Sequence, residues 1–314
     1  MMPVRSNVCK MTLLTVQINY FIKFLTMKIL VPTDFSASSK NAAEYASKIA
    51  TKINAEITLL HLVYRHALPH ASILKENLER VMKQNAKQDC IELVNELRSK
   101  NKSLLISYKI MDDFDFENVI ENYAVHNNID LIIMGTRGAT GLSKVIFGSN
   151  TASVISHSSV PVIAVPEHAR FNGIKNIIYA SDLHFLEKEL PAVIPFAQQF
   201  DAGLHIFHVL KPNSEKKFDK DKLVKELTSK FRYTKITVSF SLHSDIEDGI
   251  AEFISQNQGD LLVMFTHNVS FFEKLFAKSY TRELAFQTRL PLLTFKKQLA
   301  VDRKKGVKTD YALD

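Results

Sequence analysis

Short apolar, β-branched runs alternate along the chain with longer stretches whose apolar positions recur every three or four residues. Runs near 28–33, 56–62, 104–110, 130–134 and 161–165 read as strands. Leu131-Ile132-Ile133-Met134 is apolar without alternation, as expected of a strand covered on both faces. Between the second and third runs, Leu74, Leu78, Val81, Met82, Cys90, Val94 and Leu97 fall on one side of a helix from 74 to 97. Strands alternating with helices predict a parallel α/β sheet, whose ligands bind beyond the carboxyl ends of the strands. Thr33-Asp34 lies at such an end.

The pattern occurs twice. Ile29–Asp34 returns as Ile177–Asp182 at an offset of 148, and Ala55–His61 as Ala202–His208 at 147. Asp130–Met134 returns as Asp260–Met264, and Val160-Pro161-Val162 as Leu290-Pro291-Leu292, both at 130. The sequence thus predicts two copies of one domain, at 27–168 and 173–297, the second shorter between its second and fourth strands. Residues 1–26 are expected to be a disordered extension or an artefact of start-site choice, and 298–314 a basic tail. The apolar run at 11–25 is broken by Gln17, Asn19 and Lys23 and falls short of a membrane span.

Charge and composition narrow the partners. The net charge is +7, but the net charges of residues 1–28 and 296–314, +4 and +3, account for all of it, leaving 29–295 neutral. A nucleic-acid-binding face on the core loses its support. Two cysteines, Cys9 and Cys90, make no disulfide framework or zinc motif, and a cytoplasmic location is expected. No metal triad or nucleophile–base pair is visible, so no catalytic residue is expected. Glycine is scarce: nine residues, where roughly 22 would be average. Four of them, Gly135, Gly138, Gly141 and Gly148, cluster after the fourth strand. Glycines let backbone N–H groups approach an anion, and a helix N-terminus beyond Gly148-Ser149 would add a favourable dipole. The spacing is neither a Walker P-loop nor the dinucleotide Gly-x-Gly-x-x-Gly.

Gly135-Thr-Arg-Gly138, followed after nine residues by Gly148-Ser149, resembles the signature of the ATP-binding universal stress proteins. Val31-Pro32-Thr33-Asp34-Phe35-Ser36, Leu59-Leu60-His61-Leu62 and Ser159–Val165 resemble other strands of that family, strongly over 27–166 and weakly over 173–297. The resemblance implies two tandem Rossmann-like (HUP-type) α/β domains, each an open parallel five-stranded sheet flanked by helices, paired through their fifth strands as an intrachain pseudo-dimer. It implies ATP as the ligand, with Mg2+ held through the phosphates. Pro32, Thr33, Leu62 and Met134 would line the base, with Asp34 near it. Gly135 would approach the ribose, and Gly138, Gly148, Ser149 and Asn150 would hold the phosphates.

Other readings stay open beside these. Asp34 also suits a helix N-cap, and His61 and His208 suit core positions better than ligand ones. Arg137 and Lys144 read as solvated. Met111-Asp112-Asp113 stands where relatives often carry glycine, placing negative charge beside the expected site or a cation. In the second copy Gly135, Gly138 and Gly148 become Phe265, Asn268 and Lys278, and Phe265 is expected to fill the ribose space. The expected function is a tandem universal stress protein, a regulatory module holding ATP in its first half only, with protein partners unnamed and no membrane contact. The alternatives are a scaffold that binds no nucleotide and an adenylating enzyme of related architecture.

Overall fold

The computed structural model describes residues 27–64, 72–136, 148–212, 218–265 and 290–295. The signature residue Gly138, with Gly141, Arg137, Lys144, Asn268 and Lys278, lies outside them.

The first set of strands is β1 (Lys28–Pro32), β2 (Glu56–Tyr64), β3 (Ile106–Asp113), β4 (Leu131–Gly135) and β5 (Val162–Val165). The second set is β6 (Asn176–Ala180), β7 (Gly203–Leu210), β8 (Ile236–Leu242), β9 (Leu261–Phe265) and β10 (Leu292–Phe295). Helices α1 (Ala37–Ile53), α2 (Ser72–Lys100), α3 (Phe116–His126) and α4 (Ser149–His157) connect the first set. Helices α5 (Leu186–Phe200), α6 (Lys220–Phe231) and α7 (Ile246–Gln256) belong to the second. All ten strands form one sheet in the order β3-β2-β1-β4-β5-β10-β9-β6-β7-β8. Neighbours within each set are parallel, and β5 meets β10 antiparallel, with Leu292 opposite Ala164 and Thr294 opposite Val162.

Successive strand residues face opposite sides, so the apolar runs feed two cores. Ile29, Val31, Leu131, Ile133, Ile163 and Leu293 pack on one side with α1, α2, α5 and α6. Leu30, Ile132, Met134, Val162, Ala164 and Leu292 pack on the other with α3, α4 and α7. Both cores run unbroken across the β5–β10 seam. Asn41 of α1 also bonds to the carbonyls of Pro166 and Ala169, tying the connector after β5 to the first helix.

Capping sets the helix ends. Ser36, Asp115, Asp219 and Asp245 each accept an N–H from the first turn of α1, α3, α6 and α7. Asn54, Asp201 and Arg232 end α1, α5 and α6 in the left-handed region. The apolar face expected along 74–97 is buried only in its last part. Ala86, Cys90, Leu93, Val94 and Leu97 pack on the sheet, whereas Leu78 and Val81 are exposed. The helix, at 29 residues, is longer than the strands it covers. No described helix is long and apolar enough to cross a membrane.

Candidate functional site

At the carboxyl end of β1 the chain must turn from strand to helix within four residues. Thr33 is buried, and its N–H extends the β1–β2 ladder to the carbonyl of Leu60 at 2.9 Å. Phe35 takes a left-handed conformation, φ 62°, held by its N–H on Thr33 Oγ1 at 3.1 Å. The Asp34 carboxylate accepts from the N–H and hydroxyl of Ser36 at 3.1 and 2.6 Å. Ser36, not Asp34, is the cap of α1; Asp34 steadies the capping residue. His61 reaches across from β2, its Nδ1 2.9 Å from the Thr33 carbonyl oxygen, which fixes that nitrogen as the protonated one. Its ring stacks on Phe35 at 4.6 Å.

β4 ends under helix α1. A side chain at Gly135 would place its Cβ 2.5 Å from Ser38 Oγ and 2.8 Å from the Ser38 carbonyl oxygen. The glycine expected to admit a ribose is therefore required by the close passage of α1, whatever its role toward a ligand. Its carbonyl accepts from Thr151 Oγ1 at 2.7 Å, and Gly148 N–H donates to the Thr136 carbonyl at 2.7 Å. These two bonds set the N-terminus of α4 directly beyond β4. Gly148 is its N-cap, with no side chain to satisfy the first turn. The N–H groups of Ser149, Asn150 and Thr151 have no acceptor within the helix, and together with the dipole they favour an anion there.

Between these elements lies a cavity of about 390 Å³. Nine expected residues line it: Pro32, Thr33, Asp34, Leu62, Met134, Gly135, Gly148, Ser149 and Asn150. Five others complete the wall: Ser39, His61, Tyr64, Phe116 and Thr151. Leu62, Met134 and Phe116 supply an apolar slot, and the α4 N-terminus supplies donors at its far side. Asn150 Nδ2 donates to the Tyr64 hydroxyl at 3.2 Å, joining α4 to the end of β2 across the opening. Tyr64 was not singled out from the sequence; the signal was the β-prone run continuing past Leu62, which carries an alternate residue to the same face. Phe116 enters through the Asp115 cap of α3, a turn readable only once β3 is known to stop at Asp113.

Two expectations are corrected. Asp112 does not face the cavity but pairs with Lys83 of α2 at 3.1 Å, and Asp113 accepts the N–H groups of Phe114 and Asp115. Neither acid is in the cavity wall, and no group of three potential metal ligands occurs among the described residues. Phe265 does not occupy a ribose space. It lies on the α5 side of the sheet, stacked on Phe295 at 4.8 Å and edge-on to Tyr179 at 5.7 Å, whereas the first-half cavity opens on the α3–α4 side.

The strand-end bonding of the first set recurs in the second. Ser181 N–H reaches Phe207 O, Leu183 repeats the left-handed turn at φ 63° onto Ser181 Oγ, and His208 Nδ1 meets the Ser181 carbonyl. Helix α7 passes close to β7, so that a Cβ on Gly249 would sit 2.9 Å from Val209 Cγ2.

A Rossmann-like α/β unit with a cleft at its carboxyl edge, floored by apolar residues and faced by a helix N-terminus, is the class these features define. Residues 26–166 match the model of the universal stress protein family. A universal stress protein of Methanocaldococcus jannaschii is 28% identical over 143 residues, 45% of this chain and 82% of the relative. One of Synechocystis sp. aligns along most of the length, 24% identical over 289 residues, 85% of this chain and 99% of the relative. The crystal structure of a universal stress protein from Archaeoglobus fulgidus shares the fold, with a TM-score of 0.61 at 17% identity, covering 86% of this chain and 98% of that one.

Proposed function

We propose that the chain is a tandem universal stress protein of the cytoplasm that binds ATP in its first half and acts as a regulatory module rather than a catalyst. The observation that carries this reading is the cavity at the carboxyl ends of β1, β2 and β4, where an apolar slot adjoins the uncapped N-terminus of α4. The chemistry fits a nucleotide: Leu62 and Met134 offer an apolar surface for a base, and the N–H groups of residues 149–151 offer donors for phosphate oxygens. A divalent cation would be held through the phosphates, since Asp112 pairs with Lys83 and Asp113 is outside the cavity wall. No catalytic step is assigned to the cavity, and binding rather than turnover is the expected behaviour.

The second half is the fixed partner of the first. The β5–β10 pairing covers what would otherwise be two apolar sheet edges. Lost glycines and the close approach of α7 argue against a nucleotide there. Native mass spectrometry of freshly purified protein, followed by calorimetric titration with ATP, tests the reading. One nucleotide per chain is expected; two equivalent sites, or none, would overturn it.

A further inference from the structure

A second cavity, of about 310 Å³, lies at the opposite end of the sheet and on its other face, where Met27, Leu131 and Pro161 mark the amino ends of the first-set strands. β10 runs the other way, so its carboxyl-end residue Phe295 arrives there too. The facing wall is α5. Pro191, Pro195 and Gln199 form one stripe at intervals of four, with Ala192 beside it. The stripe carries acceptors short of donors. Gln199 Oε1 is buried without a hydrogen-bond partner, and Pro195, lacking an N–H, cannot close the helical bond to the Pro191 carbonyl.

The molecule contains its own comparison. The C-caps Asn54 and Asp201 align α1 with α5 at an offset of 147, which brings seven buried positions of each helix into register, from Ser39 with Leu186 to Ala50 with Ala197. By that alignment Pro191, Pro195 and Gln199 stand where α1 has Glu44, Lys48 and Lys52. That counterpart is a solvated charged stripe, with Glu44 and Lys48 3.3 Å apart. Ala192 stands where α1 has Tyr45. The Tyr45 ring is buried, edge-on to Phe171 at 5.2 Å, and burial together with the Asp260 carboxylate raises its hydroxyl pKa. Asp260 corresponds to Asp130, which borders the cavity. The sheet order is palindromic about the seam, so the two places are counterparts. On one side a phenol ring fills the space; on the other an alanine leaves it open, and the charged stripe has become apolar.

We infer that this second cavity binds a small aromatic molecule carrying a hydroxyl group, which occupies the counterpart of the Tyr45 ring and donates its O–H to Gln199. The site is independent of the proposed nucleotide cavity. The test uses the full chain with 2-naphthol, followed by its own fluorescence, and 2-methoxynaphthalene as the same ring without a donor. Saturable binding of one 2-naphthol per chain is expected, undisturbed by excess ATP, with the methoxy compound about tenfold weaker for the lost hydrogen bond. Gln199→Leu should bring the two probes to within about twofold of each other. Ala192→Tyr, which supplies the missing ring from the chain itself, should abolish binding of both and raise the melting temperature, leaving ATP binding as it was. Absence of saturable 2-naphthol binding, displacement by ATP, equal affinity for the two probes, or undiminished binding to Ala192→Tyr would each overturn the assignment.

Discussion

Replacing Gly135 with alanine separates a structural demand from a ligand demand. The backbone of Gly135 is not in the left-handed region, so alanine can adopt it. On conformational entropy alone the change would stabilise by about 0.4–1 kcal/mol, through fewer unfolded-state conformations. Against this stands the contact with α1. The new Cβ would lie 2.5 Å from Ser38 Oγ, 2.8 Å from Ser38 O and 2.9 Å from Ser38 C. The hydroxyl can rotate away, but the carbonyl belongs to the first turn of a helix whose next residues, Ala42, Ala43 and Ala46, are fully buried. The turn must retreat, and overpacking of this kind costs about 1–3 kcal/mol. The clash outweighs the entropy gain, leaving a net loss on the order of 1–2 kcal/mol. Urea unfolding without nucleotide should show it as a lower midpoint at unchanged slope. The retreat also displaces Ser39 and the Thr33–Ser36 turn in the cavity wall, so ATP affinity should fall with stability. A midpoint equal to or above wild type would refute the steric argument, and a loss of ATP affinity at unchanged stability would return Gly135 to a purely ligand-facing role.

At the other end of the glycine cluster, Gly148→Val should weaken ATP at least about tenfold in calorimetry while costing little stability, because the side chain enters the space before the α4 N-terminus; undiminished affinity would place the phosphates elsewhere. Val162→Lys combined with Leu292→Lys puts two charges, each at a position about 1% exposed, into one core across the seam. Unpaired buried charges cost several kcal/mol, so the melting temperature should drop steeply and small-angle scattering should show expansion; unchanged melting would show that the seam contributes nothing. His205 gives a pH dependence. Burial lowers its pKa below the usual 6.5, and its Nε2 is buried without a partner, edge-on to Phe253. The unfolded chain binds this proton more readily than the folded one, so stability is full above about pH 6.5 and declines as the pH falls below it. His205→Leu should flatten that decline, and a slope unchanged by the substitution would exclude His205 as its source.

Nine of the ten described strands were close to legible, five directly and four through the repeat, because buried parallel strands announce themselves as apolar runs; β8 and the strand order were not read. The strand ends were less legible. β3 continues to Asp113 because its pairing with β2 carries on through Tyr64, a cross-strand fact that no local pattern contains. The facing of β4 and β9 was hidden for a related reason. A run such as Leu261-Leu262-Val263-Met264-Phe265 has no polar face, so nothing in it tells which residues look toward α5 and which toward the cleft side. Phe265 was therefore read against a ligand when it packs against Tyr179 and Phe295. Gly135 was read only against a ligand for a related reason: the missing side chain also points at Ser38, and a sequence cannot show what a glycine has approached.

The two halves also sort the cleft residues by what they are for. Whatever recurs in the second half serves the turn itself: the Thr33 and Ser181 hydroxyls that hold a left-handed residue, the Asp34 and Asp182 carboxylates bonded two residues onward, and the histidines on the 33 and 181 carbonyls. These interactions keep β1 and β6 joined to their helices with or without a ligand, which is why they outlast the glycines. What the second-half sequence does not repeat is Gly148 and Asn150 of the α4 N-terminus, where Lys278 and Tyr280 stand; in the first half Asn150 links to Tyr64. Substituting Asp34 with alanine should therefore lower stability by about 1 kcal/mol, as loss of a cap-type bond does. Asp182→Ala should cost about the same, since it removes the matching bond in the second half. If Asp34→Ala instead left stability intact and abolished ATP binding, the carboxylate would belong to the ligand, and the likeness between the two turns would be a relic rather than a requirement of the fold.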